Sequence, residues 1–140
     1  RSNSGKEFEI KGVHGYQAEI DPSDRAWSGG IFDQSRRKWL YPLSTNEPGR
    51  KAFKNGQWNK YRIEAIGHTL RIWVNGIQTS NLVDDMTAEG FIGLQVHQIK
   101  DTKLEGLQVS WRDARIITEN LESNRWPVAT NAPEISFLKK

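Results

Sequence analysis

Apolar and polar residues alternate at period two through most of this chain, most regularly between Trp58 and Thr79, WNKYRIEAIGHTLRIWVNGIQT. That period is the mark of strands with one buried face. A two-residue turn at Gly67-His68 sets Ala65 opposite Leu70, Ile63 opposite Ile72 and Tyr61 opposite Val74, so the register that pairs the backbone also gathers the apolar side chains. The other face then pairs Glu64 with Arg71 and Arg62 with Trp73. Asn75-Gly76 is the strongest short hairpin signal in the sequence, and it continues the meander with Ile77 opposite Val74 and Gln78 opposite Trp73.

The rest of the chain is read in the same way. Residues 1 to 15 are irregular, with at most one short strand around Phe8 to Ile10. GYQAEID, residues 15 to 21, predicts a strand with Tyr16, Ala18 and Ile20 on one side and Gln17, Glu19 and Asp21 on the other; Pro22-Ser23-Asp24 ends it. Gly29 to Asp33 predicts a short strand whose glycines admit a close neighbour, and Trp39 to Tyr41 predicts another. Residues 42 to 57, with two prolines and two glycines, predict a long surface loop, and such loops often carry function. Residues 81 to 90 read as a polar turn region. FIGLQVHQ, residues 91 to 98, alternates with Ile92, Leu94 and Val96 toward the core and Gln95 and His97 away from it. Residues 107 to 117 predict the last strand. No amphipathic helix is found. Short antiparallel strands with turn signals between them predict an all-β sandwich or jelly roll over residues 1–117, followed by a tail or linker over 118–140.

Composition narrows the class. With 140 residues, 36% hydrophobic and 26% charged, the chain is of ordinary globular make-up and is most simply one domain. No apolar run has the length of a membrane span. The net charge of +3 is spread along the chain without a nucleic-acid-binding motif, so nucleic acid is not expected as a partner. The absence of cysteine excludes disulfides and thiolate metal sites. The chain opens on Arg1 in mid-pattern with no leader sequence, and a mature or truncated form is expected.

Six tryptophans are many for this length. Core packing of a β protein competes with a sugar-stacking platform as their explanation. The polar sides of the predicted strands carry Gln17 and Glu19; Arg62, Glu64, Arg71 and Trp73; and Gln95 and His97. Gln, Glu, Arg, Trp and His together suit hydrogen bonding to a polyhydroxylated ligand with a ring stacked beneath it. A solvated sheet face with cross-strand ion pairs is the plainer alternative. G-x-S-x-G, H-E-x-x-H, phosphate-loop and dinucleotide motifs are all missing, which removes local support for serine hydrolase, zincin, kinase and dehydrogenase readings. A His and a Glu on separate strands could supply an acid and a base, or two ligands to a divalent cation, with Glu19 and His97 the candidates.

The succession GYQAEID, GGIFDQSRR, GQWNKYRIEAIGHTLRIWVNGIQTSN, GFIGLQVH and VSWRDARI resembles the bacterial 3-keto-disaccharide hydrolase domain family over roughly residues 1 to 117. The resemblance implies a concanavalin-like jelly roll and a hydrolase or lyase acting on glycosides oxidised at C3. It also implies a periplasmic or extracellular setting. Arg1-Ser2 matches the close of the family's N-S-G-I-x-[FY]-R-S block, so the first strands of the sandwich are expected to be missing from this chain. Phe32-Asp33-Gln34 stands where relatives often read Y-D-E, and Trp111-Arg112-Asp113 where they read F-R-N. PEISFLKK resembles linkers that join this domain to another.

A C3 ketone acidifies the C2 proton, so a base can remove it and the enolate can expel the C1 aglycone before water adds back. The candidates are Glu19, His97 and Asp33 as catalytic groups, with Arg1, Gln17, Arg36, Arg62, Trp73 and Gln95 as substrate contacts. A non-catalytic carbohydrate-binding module of a larger cell-envelope protein is the rival reading, using the same face and Trp73. A purely structural domain is the third.

Overall fold

The computed structural model describes residues 1–5, 12–99 and 101–138. Its strands form two four-stranded sheets. The first sheet is the meander β1 (Ser2–Ser4), β2 (Val13–Ala18), β3 (Ile31–Gln34) and β4 (Lys38–Tyr41), all antiparallel. One helical turn, α1 (Glu47–Arg50), interrupts the expected 42–57 loop, where the Asn46 side chain accepts from Gly49 N and caps it. The second sheet is β5 (Tyr61–Ile66), β6 (Thr69–Val74), β7 (Ile77–Val83) and β8 (Ile135–Ser136), with β8 parallel to β7. The all-β sandwich is therefore the fold, with almost no helix.

The central meander has the register that its alternation dictates. Ile63 faces Ile72, Glu64 faces Arg71, Arg62 faces Trp73, and beyond the Asn75-Gly76 turn Trp73 faces Gln78. A bulge between Ile72 and Trp73 then shifts the pairing, placing Ile72 opposite Ser80. Tyr16, Ile31, Leu40 and Leu43 from the first half meet Leu70, Ile72, Val74 and Leu82 from the second to form the core. Gly29 makes this contact close: at φ +85° it lies so near β6 and β7 that an added Cβ would meet Val74 Cγ2 at 2.7 Å and Thr79 Cβ at 2.8 Å, and its carbonyl accepts from Thr79 Oγ1 at 2.8 Å and Ser80 Oγ at 2.9 Å.

An ionic cluster also ties the sheets together. Asp33 on β3, fully buried, accepts from Arg36 Nε at 2.7 Å and Arg37 Nε at 2.6 Å. Arg37 then donates through both terminal nitrogens to Asp84, just after β7, at 2.7 and 3.0 Å. The Tyr16 hydroxyl donates to the same carboxylate and accepts from Thr87 N. Each buried carboxylate is thus paired and hydrogen-bonded, the condition under which burial of charge is tolerated.

Four expectations are corrected. Residues 92–98 form no strand: only Phe91 pairs, by a single bridge to Ser2, and Ile92, Leu94 and Val96 remain 71%, 63% and 69% exposed. Alternation supplies a face but not a ladder partner, and β1, at three residues, is too short to be one. Residues 107–117 likewise form no strand, with Leu107 and Val109 exposed. Ile63, correctly placed on the core side of β5, is left 54% exposed. Residues 121–137, expected within a tail or linker, instead pack on the second sheet. Tyr41 donates to Pro133 O, Ala129 N to Gln78 Oε1, Trp126 N to Glu64 Oε1, and Ile135 pairs with Leu82. The short strand expected around Phe8 to Ile10 lies outside the described residues.

Candidate functional site

The open face of the first sheet is built by register. Gln17 pairs with Phe32, and Phe32 with Trp39, so these three side chains share the face turned away from the core. Glu19 continues that phase one step beyond β2, where its amide donates to Gly30 O at 3.0 Å and its carbonyl accepts from Gly29 N at 2.8 Å and from the Tyr61 hydroxyl at 3.2 Å. Gly30 leaves the space beside it to an aromatic ring: a Cβ there would stand 3.1 Å from Trp39 Cζ3. Trp27 meets Trp39 edge-on at 4.8 Å, Phe32 meets it at 5.1 Å, and Arg25 lies over both indoles at 5.0 and 4.9 Å. The same guanidinium is held by Asp21, Nε to Oδ2 at 2.7 Å.

Glu19 is half-buried beside these rings. Desolvation first, and the neighbouring Asp21 charge second, raise its pKa above the ordinary glutamate range, while Arg25 and His97 pull the other way. His97 itself is exposed, and its Nδ1 lies 2.9 Å from Gln98 O. A carbonyl can only accept, so Nδ1 is the donor of that bond and Nε2 is the nitrogen left for other partners. The pair offers a carboxylate of raised basicity and an imidazole, the two elements of acid–base chemistry. The same atoms are the only candidate donors to a divalent cation that the sequence offered. Among the described residues no three His, Cys, Asp or Glu form a metal-binding group.

Of the residues expected at the site, Gln17 and Glu19 share the open face of the first sheet, and His97 is among the groups that lower the Glu19 pKa. Asp33 stands elsewhere: it pairs with Tyr16, so it points into the sandwich, opposite to Gln17, and is occupied by Arg36 and Arg37. Period two separates residues 32 and 33 to opposite faces, and a predicted β3 that began at Gly29 could not fix which of them faced outward. Arg36 is enclosed with Asp33, donates to Thr87 Oγ1 and lies over the Tyr16 ring. Arg1 donates to Gly67 O at 2.7 Å and Ala65 O at 2.8 Å, securing the β5–β6 turn. Arg62 and Trp73 lie on the outer face of the second sheet, where Arg62 donates to Glu64 and stacks at 4.7 Å over Trp126. Trp73 is 3% exposed beneath Trp126, and so offers no stacking surface. Gln95 is exposed on the segment that forms no strand.

Arg25, Trp27, Phe32 and Trp39 are residues of this face that sequence reading did not assign to it. Trp39 was within reach, because a β3–β4 hairpin across SRRK carries the Gln17 phase onto Phe32 and then Trp39. Trp27 and Arg25 stand in a turn region and arrive there by tertiary packing, which no period reports.

The open face of the first sheet thus carries indole rings, the Gln17 amide and the Glu19 carboxylate. The chain belongs to the family of 3-keto-alpha-glucoside-1,2-lyase-like domains, whose sequence model matches residues 1–117. The family name points to lyase or hydrolase action on glycosides, and hence to a sugar as substrate. No curated protein matches the chain. Among the described residues, no helix is long and apolar enough to cross a membrane.

Proposed function

We propose that this domain cleaves 3-keto-glycosides by elimination across C1 and C2, followed by hydration. The observation that carries the reading is the placing of Glu19, with raised basicity, within the influence of His97 on a face floored by Trp39. Glu19 takes the C2 proton, whose acidity comes from the adjacent C3 ketone. The electron pair passes into the enolate, the C1–O bond breaks, and the aglycone oxygen takes a proton from the His97 imidazolium. Water then adds across the resulting enone, oxygen to C1 and proton to C2. In this reading Gln17 hydrogen-bonds sugar hydroxyls and Arg25 offsets negative charge on the enolate. Asp33 and Arg36 have no part, because each is occupied within the buried cluster. A periplasmic or extracellular setting goes with this reading.

Turnover of a 3-keto-glucoside in D2O tests the step order. Elimination and hydration leave deuterium at C2 of the released 3-keto-sugar faster than the enzyme-free control; direct displacement at C1 leaves none. The Trp27–Trp39–Phe32 cluster also favours a second reading, a carbohydrate-binding module on this same face. Binding without aglycone release is its signature.

A further inference from the structure

A cleft of about 230 Å³ adjoins this face, between the Asp21–Ala26 turn and the 50–57 loop. Its walls include Asp21, Ser23, Arg50, Phe53, Lys54 and Gln57. Two contacts connect its lining with the residues around Glu19. Asp21 lines the cleft and also holds Arg25, the guanidinium stacked over Trp27 and Trp39. Phe53 lines it too and packs edge-on at 6.4 Å against Tyr61, whose hydroxyl donates to Glu19 O.

The charge in the cleft is unbalanced. Its single carboxylate, Asp21, is already used: Oδ1 accepts from Ser23 N and Oγ, and Oδ2 from Arg25 Nε and Trp27 N. Beyond Asp21, whose oxygens are engaged, the lining holds no carboxylate for Arg50 and Lys54. The Lys54 ammonium reaches only the Lys51 carbonyl, and the Arg50 side chain makes no hydrogen bond or ion pair among the described residues, although the Glu47 carboxylate is near enough to feel its charge. Two cations beside one aromatic wall, with Gln57 and Ser23 as further hydrogen-bonding groups, favour a ring that carries both hydroxyls and a negative charge. A guanidinium matches a planar carboxylate with two parallel hydrogen bonds.

We propose that this cleft binds an anionic sugar unit, a uronic acid or a sugar bearing sulfate or phosphate, next to the unit held over Glu19. The proposal rests on the glycoside-cleaving reading for the position of that neighbouring unit, but not for the binding itself. The substrates so selected are acidic glycosides.

The direct test is titration of the isotope-labelled chain with D-glucuronate, glucose 6-sulfate, glucose 6-phosphate and neutral glucose, followed by amide shifts. The acidic sugars should move amides of residues 23–26 and 50–57, more weakly at high salt, and glucose should not. Arg50→Gln with Lys54→Gln should weaken acidic-sugar binding by roughly tenfold or more, the size expected for loss of a charge-assisted hydrogen bond. Preference among carboxylate, sulfate and phosphate identifies the acidic group. Equal shifts by glucose and glucuronate, or full glucuronate affinity in the double variant, overturn the proposal. A 3-keto-glycoside assay stands apart: aglycone release with no glucuronate binding contradicts the cleft alone, and glucuronate binding with no release contradicts the catalytic reading alone.

Discussion

Trp126 meets Trp73 edge-on, with ring centroids 5.6 Å apart and planes at 72°. The contact joins a residue outside the family match to the middle of the second sheet. Around it Arg125 donates to Thr69 Oγ1, Trp126 N to Glu64 Oε1, and Asn131 Nδ2 to Asn46 Oδ1 and Gln78 O, so the segment covers Trp73, Glu64 and Gln78 on that sheet. Removing residues 118–140 should therefore expose Trp73 and leave Glu64 without its amide partner. Trp126→Ala should lower stability by about 2 kcal/mol, less than a fully buried Trp→Ala because the ring is only half-buried. Denaturant midpoints of the two variants check this, together with a red shift in Trp emission. An unchanged midpoint on truncation would mean that the segment does not hold the sheet.

Asp84 anchors the other tie between the sheets, and Asp84→Asn should cost about 2 kcal/mol, since it leaves the part-buried Arg37 guanidinium and the Tyr16 hydroxyl facing a neutral group. Burial alone would raise the Asp84 pKa, but hydrogen bonds from Arg37 and Tyr16 override it and hold the carboxyl below its ordinary value. The depressed native pKa stabilises the fold above the unfolded carboxylate range, and that contribution is lost as pH falls through the native value. The alkaline side has the opposite sense: burial, with the bond to Asp84, pushes the Tyr16 hydroxyl up to about 12. Unfolded chains ionise tyrosine near 10, so stability should fall as pH rises from about 10 toward 12. Urea midpoints against pH follow both limbs, and Asp84→Asn should flatten the acid one.

The hairpins from Tyr61 to Gln78 could be read residue by residue because a two-residue turn and a period of two leave one register that unites Ile63 with Ile72 and Tyr61 with Val74, whereas the bulge beyond Gln78 and the run of β7 to Val83, through residues read as a turn region, were not in the pattern. The same period misled at residues 91–98. Ile92, Leu94 and Val96 alternate as well as any strand, yet strand formation needs a neighbour with free amides and carbonyls, and that neighbour is not in the pattern. The C-terminal segment was illegible for the converse reason. Trp126, Ala132 and Ile135 are isolated among Asn, Pro and Ser, with no period at all, and they are fixed by partners distant in sequence. At the site, Gln17 and Glu19 followed from one strand. Asp33 was misplaced because a single-residue phase error on β3 moves a side chain through the sheet.

Trp39 should supply the floor for the sugar. Trp39→Ala removes the ring that meets Phe32 and Trp27, and binding of a 3-keto-glucoside analogue should weaken roughly tenfold, the effect of losing an aromatic contact of about 1.4 kcal/mol. Trp73→Phe, beneath Trp126, should leave that affinity as it was. Calorimetric titration of the two variants separates the faces, and loss of affinity in Trp73→Phe with none in Trp39→Ala would place the sugar on the second sheet.

The central claim is that Glu19 removes the C2 proton, and the rate of aglycone release from a chromogenic 3-keto-glucoside, followed against pH in wild type and Glu19→Gln, tests it most directly. The account predicts that kcat/KM rises as Glu19 deprotonates, with a midpoint above the ordinary glutamate range because desolvation raises its pKa. Glu19→Gln should lower the rate by roughly 10²–10⁴-fold and abolish that limb, while the cooperative unfolding transition persists. Release at the wild-type rate by Glu19→Gln, with the same pH limb, would contradict it.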